Sequence, residues 1–530
     1  MRLVTVEEMK EIERVTILEY QLREDLIIEN VGLQGAHLLE KNFFKEPDLR
    51  PSFVFLIGKG NNGADGLAIA RNLVNKTSAF IMAFLLFPEE ECSVELKHQL
   101  HMARSFGLRS VALKSVDDMA SYFFQTGKSL IVIDAIFGSG VRLPLPNMIY
   151  DVIRFINQQA QTIVSIDIPS GVEGNTGNTT GQAVTAQWTM SIGAPKLGCF
   201  LSEGVECTGE IQLVDAGFPQ EFFQEGDKFQ IEFSDVMDWL ESRSKYADKR
   251  MNGHVLVVGG SSGLTGALLL ATNAALRVGT GLVTGVTWKE NHQEFTSRLI
   301  PEIMSGLIPE EENKWREMME NFSRYHALVV GPGLGRGTKA RAVLQFILTE
   351  YRGPVVVDAD AINLLILTED ETLLRNRKFP TILTPHLGEF ARLLNINKNL
   401  VARDSYKYLL DLVYRTSATV ILKGPCSQIA FPSGKVYFNF SPNAGMATGG
   451  TGDVLAGILG GVISQEVARF KKTDKDGKDF PSLEKSILLA VLVHSRSGHF
   501  AKEKYGVRGM TASSLIDCLT DAFDEIEKMI

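Results

Sequence analysis

The stretch NAGMATGGTGDVLAGILGG, Asn443 to Gly461, gathers glycines and threonines around a single acid and then runs into an apolar helical pattern. Unpaired backbone amides at a helix start bind anions, and a carboxylate among them can serve as a base beside the bound group. Gly449, Gly450 and Gly452 let a ligand approach the main chain closely. The helix is expected to begin at Asp453, which is then placed as a kinase places a base beside a phosphoryl group in transfer. A plain capping role for Asp453 is the alternative. The chain has no Walker A loop: its Gly127-Lys128-Ser129 has Tyr122 where the earlier glycine is needed.

A second set lies in the first half. The turn Gly58-Lys59-Gly60-Asn61-Asn62-Gly63 follows an apolar run and opens a helical pattern. It matches G-x-G-x-x-G formally, but Glu89 comes late for the ribose-binding acid of a dinucleotide fingerprint. A turn for phosphate or another polar ligand is the preferred reading, against a purely structural one. Asp134 and Asp167 close two further runs 33 residues apart, the length of one β-α-β unit. On neighbouring strands both carboxylates reach one rim, near the turn and Ser170. Either alone could cap a helix; together they suggest acid–base chemistry or a hard cation held by oxygen.

These residues need strand ends to stand on. Short apolar runs at 52–58, 78–87, 129–138, 162–171 and 211–217 each end in a turn and lead into helical pattern. Runs at 254–260, 327–333, 354–360, 381–386 and 419–424 repeat the habit. Strands apolar on both faces and alternating with helices predict mostly parallel sheets, covered on both sides, with ligands beyond their carboxyl ends. The chain of 530 residues exceeds one core. A segment of mixed charge without a buried run puts a seam near 219–235, between two α/β domains.

Fifty-four basic against 63 acidic residues, a formal charge of -9, argue against nucleic acid or an anionic membrane surface as partner. The five cysteines show no metal-ligand spacing and read as free thiols. The N-terminus is an amphipathic helix pattern without a signal-peptide core, and no apolar run is long enough to span a bilayer. A cytoplasmic enzyme is expected.

In the first half GKGNNGADGLAIAR, DAIFGSGVRLP, SIDIPSGV and APKLG, in order, resemble the NAD(P)H-hydrate epimerase family. The resemblance implies a Rossmann-like three-layer sandwich over 1–218. It implies a potassium ion held by Asn62, Asp134 and Ser170. It also implies contacts to the hydrated nucleotide from Asn61, Asn62, Gly63, Ala64 and Asp65, from the loop Gly138, Ser139, Gly140, Val141, Arg142, Leu143 and Pro144, and from Asp167. Inverting the carbon that bears the hydroxyl needs a group that gives and takes a proton; Asp167 suits that role, with Lys196 in support.

In the second half the glycine–aspartate arrangement resembles the ribokinase-like kinases. VVGPGLG, VVDADAINLL, LTPHLGEFARLL, ILKGPCSQI and GMATGGTGDVLAGIL resemble, within them, the ADP- or ATP-dependent NAD(P)H-hydrate dehydratase family, implying a ribokinase-like α/β domain over 226–530. Lys423, Gly424, Pro425, Cys426, Ser427 and Gly452 would then hold the adenine nucleotide. Ala267, Gly335, His386 and Asp453 would face the hydrated nicotinamide nucleotide. Without the resemblance His386 reads as a satisfied loop histidine. Glu389 and Asp360 are candidates for organising Mg²⁺.

The two resemblances together imply a bifunctional repair enzyme acting on the hydrates of NADH and NADPH with ADP or ATP as co-substrate, and a homo-oligomer. The competing enzymatic reading is a kinase of the hydroxymethylpyrimidine or hydroxyethylthiazole type fused to a nucleotide-binding module. A non-enzymatic sensing or scaffold role for the N-terminal half is the third.

Overall fold

A computed structural model describes residues 1–45, 51–126, 130–141, 143–240, 246–311, 315, 322–473 and 480–529. The chain divides into two compact units, Met1–Lys228 and Phe229–Ile530. Among the described residues no helix is long and apolar enough to cross a membrane.

The first unit is built on seven strands: β1 (Ser52–Ile57), β2 (Phe80–Leu85), β3 (Arg109–Ala112), β4 (Leu130–Ala135), β5 (Thr162–Ile166), β6 (Trp188–Ile192) and β7 (Glu210–Val214). Their order is β3-β2-β1-β4-β5-β6-β7, and every neighbouring pair is parallel. Alternate residues of β1 enter different cores. Phe53, Phe55 and Ile57 join one with helices Glu24–Phe43 and Asn61–Lys76; Val54 and Leu56 join another with helix Asn147–Gln159. That two-sided burial makes the sheet the middle of three layers. Strand order reverses between β1 and β4, which opens a crevice beyond their carboxyl ends.

The second unit carries a ten-stranded sheet of β8 (Lys228–Gln230), β9 (His254–Val258), β10 (Leu282–Trp288), β11 (Met304–Ile308), β12 (Ala327–Val330), β13 (Val355–Val357), β14 (Thr381–Leu383), β15 (Thr419–Leu422), β16 (Cys426–Ala430) and β17 (Val436–Phe440). The order is β11-β10-β9-β12-β13-β14-β15-β16-β17-β8. Pairing is parallel from β11 to β15, and β16 and β17 add antiparallel neighbours. Here the reversal falls between β9 and β12.

Helix Thr451–Thr473 lies on one face of this sheet, with Val454, Ile458, Leu459 and Val462 packed among Val255, Val257 and Val329. Its glycines separate into two groups. A Cβ at Gly457 would stand 2.1 Å from Ala271 O, at Gly460 2.4 Å from Val329 Cγ2, and at Gly461 2.5 Å from Val278 Cγ2. These three serve close packing against the sheet and helix Thr265–Arg277. Of the glycines before them, Gly449 has open space on its Cβ side.

Candidate functional sites

In the first unit a cleft of about 540 Å³ opens beyond the ends of β1, β4 and β5. Its lining includes Asn61, Asn62, Asp65, Gly138, Ser139, Gly140, Val141, Asp167 and Lys196. Tight contacts bring the turn and loop together. A Cβ at Gly58 would overlap Ile136 O at 1.7 Å, and one at Gly138 would stand 3.0 Å from Asp167 Oδ2. Gly63 and Ala64 are buried in the first turn of their helix and do not line the cleft, nor do Leu143 and Pro144. Arg142 lies outside the described residues.

Asp167 follows β5 with φ of 68°, a left-handed conformation that costs a non-glycine residue energy and is retained where geometry demands it. Its carboxylate is ion-paired with Lys196, which is 1 % exposed and also donates to Ile192 O at 2.9 Å. Asp167 Oδ2 accepts from Ser139 N at 2.9 Å. Asp65, on the opposite wall, is buried, and burial together with the charges of Asp167 and Glu13 holds its carboxyl well above the usual range. The site thus contains an acid–lysine ion pair and a second, buried acid whose pKa is raised.

Glu13, on helix Val6–Leu18, also lines the cleft; its carboxyl is pushed up by burial and by Asp167. Sequence reading passed over it because it is one of several acids on a polar helix face.

Asp134 does not share the rim with Asp167. It lies fully buried beneath it, accepting from Ser165 Oγ at 2.8 Å, Ser170 N at 2.9 Å and Ser170 Oγ at 2.6 Å. Burial raises its pKa against the pull of these hydrogen bonds. The Asn62 amide is buried with neither its oxygen nor its nitrogen hydrogen-bonded. An orphaned amide is costly in the interior unless something pairs with it.

In the second unit the chemistry also collects at strand ends: Asp358 after β13, Thr384 after β14 and Lys423 after β15. Asp358 is 1 % exposed; its Oδ1 accepts from Lys423 Nζ at 2.7 Å and from Thr384 Oγ1 at 2.6 Å, and its Oδ2 has no hydrogen-bond partner. Against the downward pull of burial, Asp358 and Glu389 hold Lys423 above its ordinary pKa. Burial, then the neighbouring Asp358, push Asp453 up to about 7. The helix begins at Thr451, two residues before the expected start, so Asp453 sits in its first turn rather than at its cap.

Gly449 has open space where a Cβ would go, and Gly450 has φ of 94° with a Cβ position blocked by Leu270 and Ala512. A Cβ at Gly452 would stand 3.2 Å from Lys423 Nζ. The glycine loop, the Lys423 ammonium and Asp453 thus lie together.

The other expected residues have mixed positions. His386 caps helix Leu387–Leu394: Nδ1 accepts from Gly388 N at 2.9 Å, while Glu389 Oε2 accepts from His386 N at 2.9 Å. Burial, with Lys423 and Arg392, lowers its pKa. Gly335, with φ of 88°, donates its N–H to Asp360 Oδ2 at 3.0 Å, and Arg336 Nε donates to Asp360 Oδ1 at 2.8 Å. Asp360 thus spends both oxygens on that loop. Gly424 and Pro425 are exposed, whereas Cys426 is buried in β16 with its thiol pKa driven upward by burial; only its backbone can meet a ligand. Ser427 Oγ donates to Gly424 O at 3.3 Å. Ala267 is half-buried in the first turn of helix Thr265–Arg277. Asp358 is not among the residues expected from sequence: VVDADAINLL offers two acids, and nothing local separates them.

A cleft lined by acids and a lysine at one doubly wound sheet, and a glycine loop beside Lys423 and Asp453 at another, mark a two-site α/β enzyme. Residues 255–521 match the family described as NAD(P)H-hydrate dehydratase, and residues 24–198 the one described as YjeF-related protein N-terminus. The bifunctional NAD(P)H-hydrate repair enzyme of Moorella thermoacetica is 32% identical over 538 residues, covering 100% of this chain and 98% of its own. The Escherichia coli enzyme of the same name is 29% identical over 475 residues, covering 89% and 85%. A solved structure, the ADP/ATP-dependent NAD(P)H-hydrate dehydratase from Bacillus subtilis co-crystallised with ATP/Mg²⁺, is 26% identical, covering 56% of this chain and 99% of that one, with a TM-score of 0.47. The chain belongs to the family of bifunctional NAD(P)H-hydrate repair enzymes.

Proposed function

We propose that residues 1–218 interconvert the R and S hydrates of NADH and NADPH, and that residues 226–530 dehydrate the S form with ADP or ATP. The observation that carries this reading is the meeting of Asp453, Lys423 and the open glycine amides. Family membership favours it over a free-standing kinase, whose fusion partner would have no need of the first cleft.

For epimerisation, the cleft supplies a proton acceptor and a proton donor. Asp167, ion-paired with Lys196, takes a proton from the water that adds back on the other face after the ring hydroxyl has left, or takes the hydroxyl proton if the ring opens. Asp65, buried and with its pKa raised, gives a proton to the departing hydroxyl, or to the ring nitrogen if the ring opens. The Asn61–Asn62 turn and the Gly138–Val141 loop hold the nucleotide over these groups. A cation that prefers oxygen ligands, such as K⁺, would suit the floor, where the orphaned Asn62 oxygen lies with the oxygens of Asp134 and Ser170. When bound, it would neutralise the buried charge there.

For dehydration, a ring hydroxyl is a poor leaving group. Asp453 takes its proton as the oxygen attacks the terminal phosphorus of the nucleotide. The O–P bond forms, the bond to the nucleotide breaks, and the amides of 449–452 with Lys423 stabilise the charge on the transferring group. The C–O bond of that ester then breaks and phosphate departs, expelled by the ring nitrogen's lone pair, and loss of a proton restores the dihydropyridine. Mg²⁺ binds through one or two carboxylates and substrate phosphates. Asp358, with its free Oδ2, and Glu389 would hold it, and it would neutralise phosphate charge. His386, Gly335 and Ala267 would face the nicotinamide nucleotide, and the 423–427 segment the adenine nucleotide.

A cytoplasmic setting is supported by the five free, buried cysteines. Assembly into a homo-oligomer is supported by Met304 and Leu307, exposed on the edge strand β11. The function is tested by supplying mixed hydrates with ADP or ATP and following dihydronicotinamide absorbance and phosphate. A stable phosphorylated product in place of dihydronicotinamide would favour a kinase.

A further inference from the structure

We propose that His494 is a positioning residue for dehydration, pinning the first turn of helix Thr451–Thr473 so that the amides of 450–452 meet the adenine nucleotide beside the Asp453 carboxylate. The proposal rests on the reading of that loop as the seat of the transferring phosphoryl group.

His494 Nε2 lies 3.0 Å from Thr451 O. A carbonyl only accepts, so Nε2 carries the hydrogen. Burial outweighs the contact with Thr451 and pushes the ring down to about 4, which leaves it a neutral donor at working pH. The histidine has no part in the proton transfers above; among the described residues its ring is hydrogen-bonded to the backbone two residues before the base.

Its neighbours on helix Glu484–Gly509 complete the seat. One turn on, Gly498 O accepts from Asn443 Nδ2 at 2.9 Å, and a Cβ at Gly498 would stand 2.4 Å from Met446 Sδ. A Cβ at Gly445 would stand 2.1 Å from Met510 Sδ. The loop is thus fastened at its entry by Asn443 and Met446 and at its exit by Thr451, whose own Oγ1 donates to Met446 O at 3.1 Å. Gly449, between these anchors, keeps open space on its Cβ side. Fixing both ends holds the amides in place before the ligand arrives, and small misplacements of such groups are expensive in rate.

The test uses the full chain with His494→Leu and His494→Gln, since a glutamine amide nitrogen can donate from nearly the same place as Nε2. With saturating S hydrate and titrated ADP or ATP, His494→Leu is expected to lose about 10- to 100-fold in kcat/KM for the nucleotide. The KM for the hydrate and the rate of epimerisation stay unchanged, and His494→Gln recovers the nucleotide kcat/KM. An unchanged His494→Leu, or a His494→Gln as damaged as Leu, overturns the proposal. Should His494→Leu not fold, His494→Gln decides: near-normal nucleotide kcat/KM supports the donor role and its loss overturns it. Nucleotide-independent dehydration by the unaltered protein overturns instead the reading of the loop itself.

Discussion

A Cβ at Gly452 would stand 3.2 Å from Lys423 Nζ, so the last glycine of the cradle and the buried ammonium face each other directly. Asp358 holds that ammonium at 2.7 Å and leaves it little room to give way. Gly452→Ala is therefore expected to lower dehydration by about 10- to 100-fold through displacement of the ammonium and the phosphate. Epimerisation should be untouched. Steady-state assays of both activities on one preparation check this.

Asp453 provides a pH signature. Its ordinary pKa is 3.8, and in the fold it is raised to about 7 by burial and Asp358. As a base it must be ionised, so kcat/KM for dehydration should fall on the acid side of about 7. Stability runs the other way. The folded state binds this proton more tightly than the unfolded chain, so the stabilisation is full below 3.8 and is lost as pH rises through about 7. Asparagine has no such dependence. Asp453→Asn should raise the melting temperature of the second unit more near pH 8 than near pH 4, as calorimetry can show.

Asp65 is predicted to act as a neutral acid. Burial and the charge of Asp167 raise its pKa, so Asp65→Asn, which keeps the shape and removes the ionisable group, should leave thermal stability nearly unchanged. The proton is gone, however, and epimerisation should drop by about 10²- to 10⁴-fold. A large loss of stability in this variant would contradict the neutral assignment.

Lys196 is predicted to matter for both stability and rate. It is 1 % exposed and pairs with Asp167, itself buried. Lys196→Met leaves a buried carboxylate without its cation, a change that costs about 3–5 kcal/mol in comparable settings. Denaturant titration of the first unit should register that loss, and epimerisation should fail with it.

Much of this was legible in the sequence because parallel strands buried on both faces announce themselves. SFVFLIG, SLIVIDAIFG, HVLVVGG and ALVVGPG became β1, β4, β9 and β12, the strands that flank both crevices. The strands passed over lack that signature. In β6, WTMSI, Thr189 and Ser191 are buried but satisfied by Thr208 O and Ala194 O, so polar residues interrupt an interior strand. In β10, LVTGVTW, a glycine that makes room for Phe295 breaks the apolar run. β3 is an edge strand with mostly exposed residues, and β16 and β17 follow a hairpin rather than a helix.

The sites were legible in the same uneven way. Gly452 and Asp453 stood out by composition, but nothing local separated Gly449 and Gly452, open to ligand, from Gly457 and Gly461, which exist to let two helices touch. Likewise Asp134 and Asp167 end neighbouring strands, yet one faces the cleft and the other is sealed beneath it. Depth below a rim is set by the loops that cover it, and those loops come from distant parts of the chain.

The most direct test follows Asp453→Asn in the full chain, given purified S hydrate, Mg²⁺ and either ADP or ATP. The account predicts that recovery of dihydronicotinamide and release of phosphate both collapse, while the same preparation still interconverts the R and S hydrates. Undiminished dehydration by Asp453→Asn would contradict the assignment of the proton-accepting base.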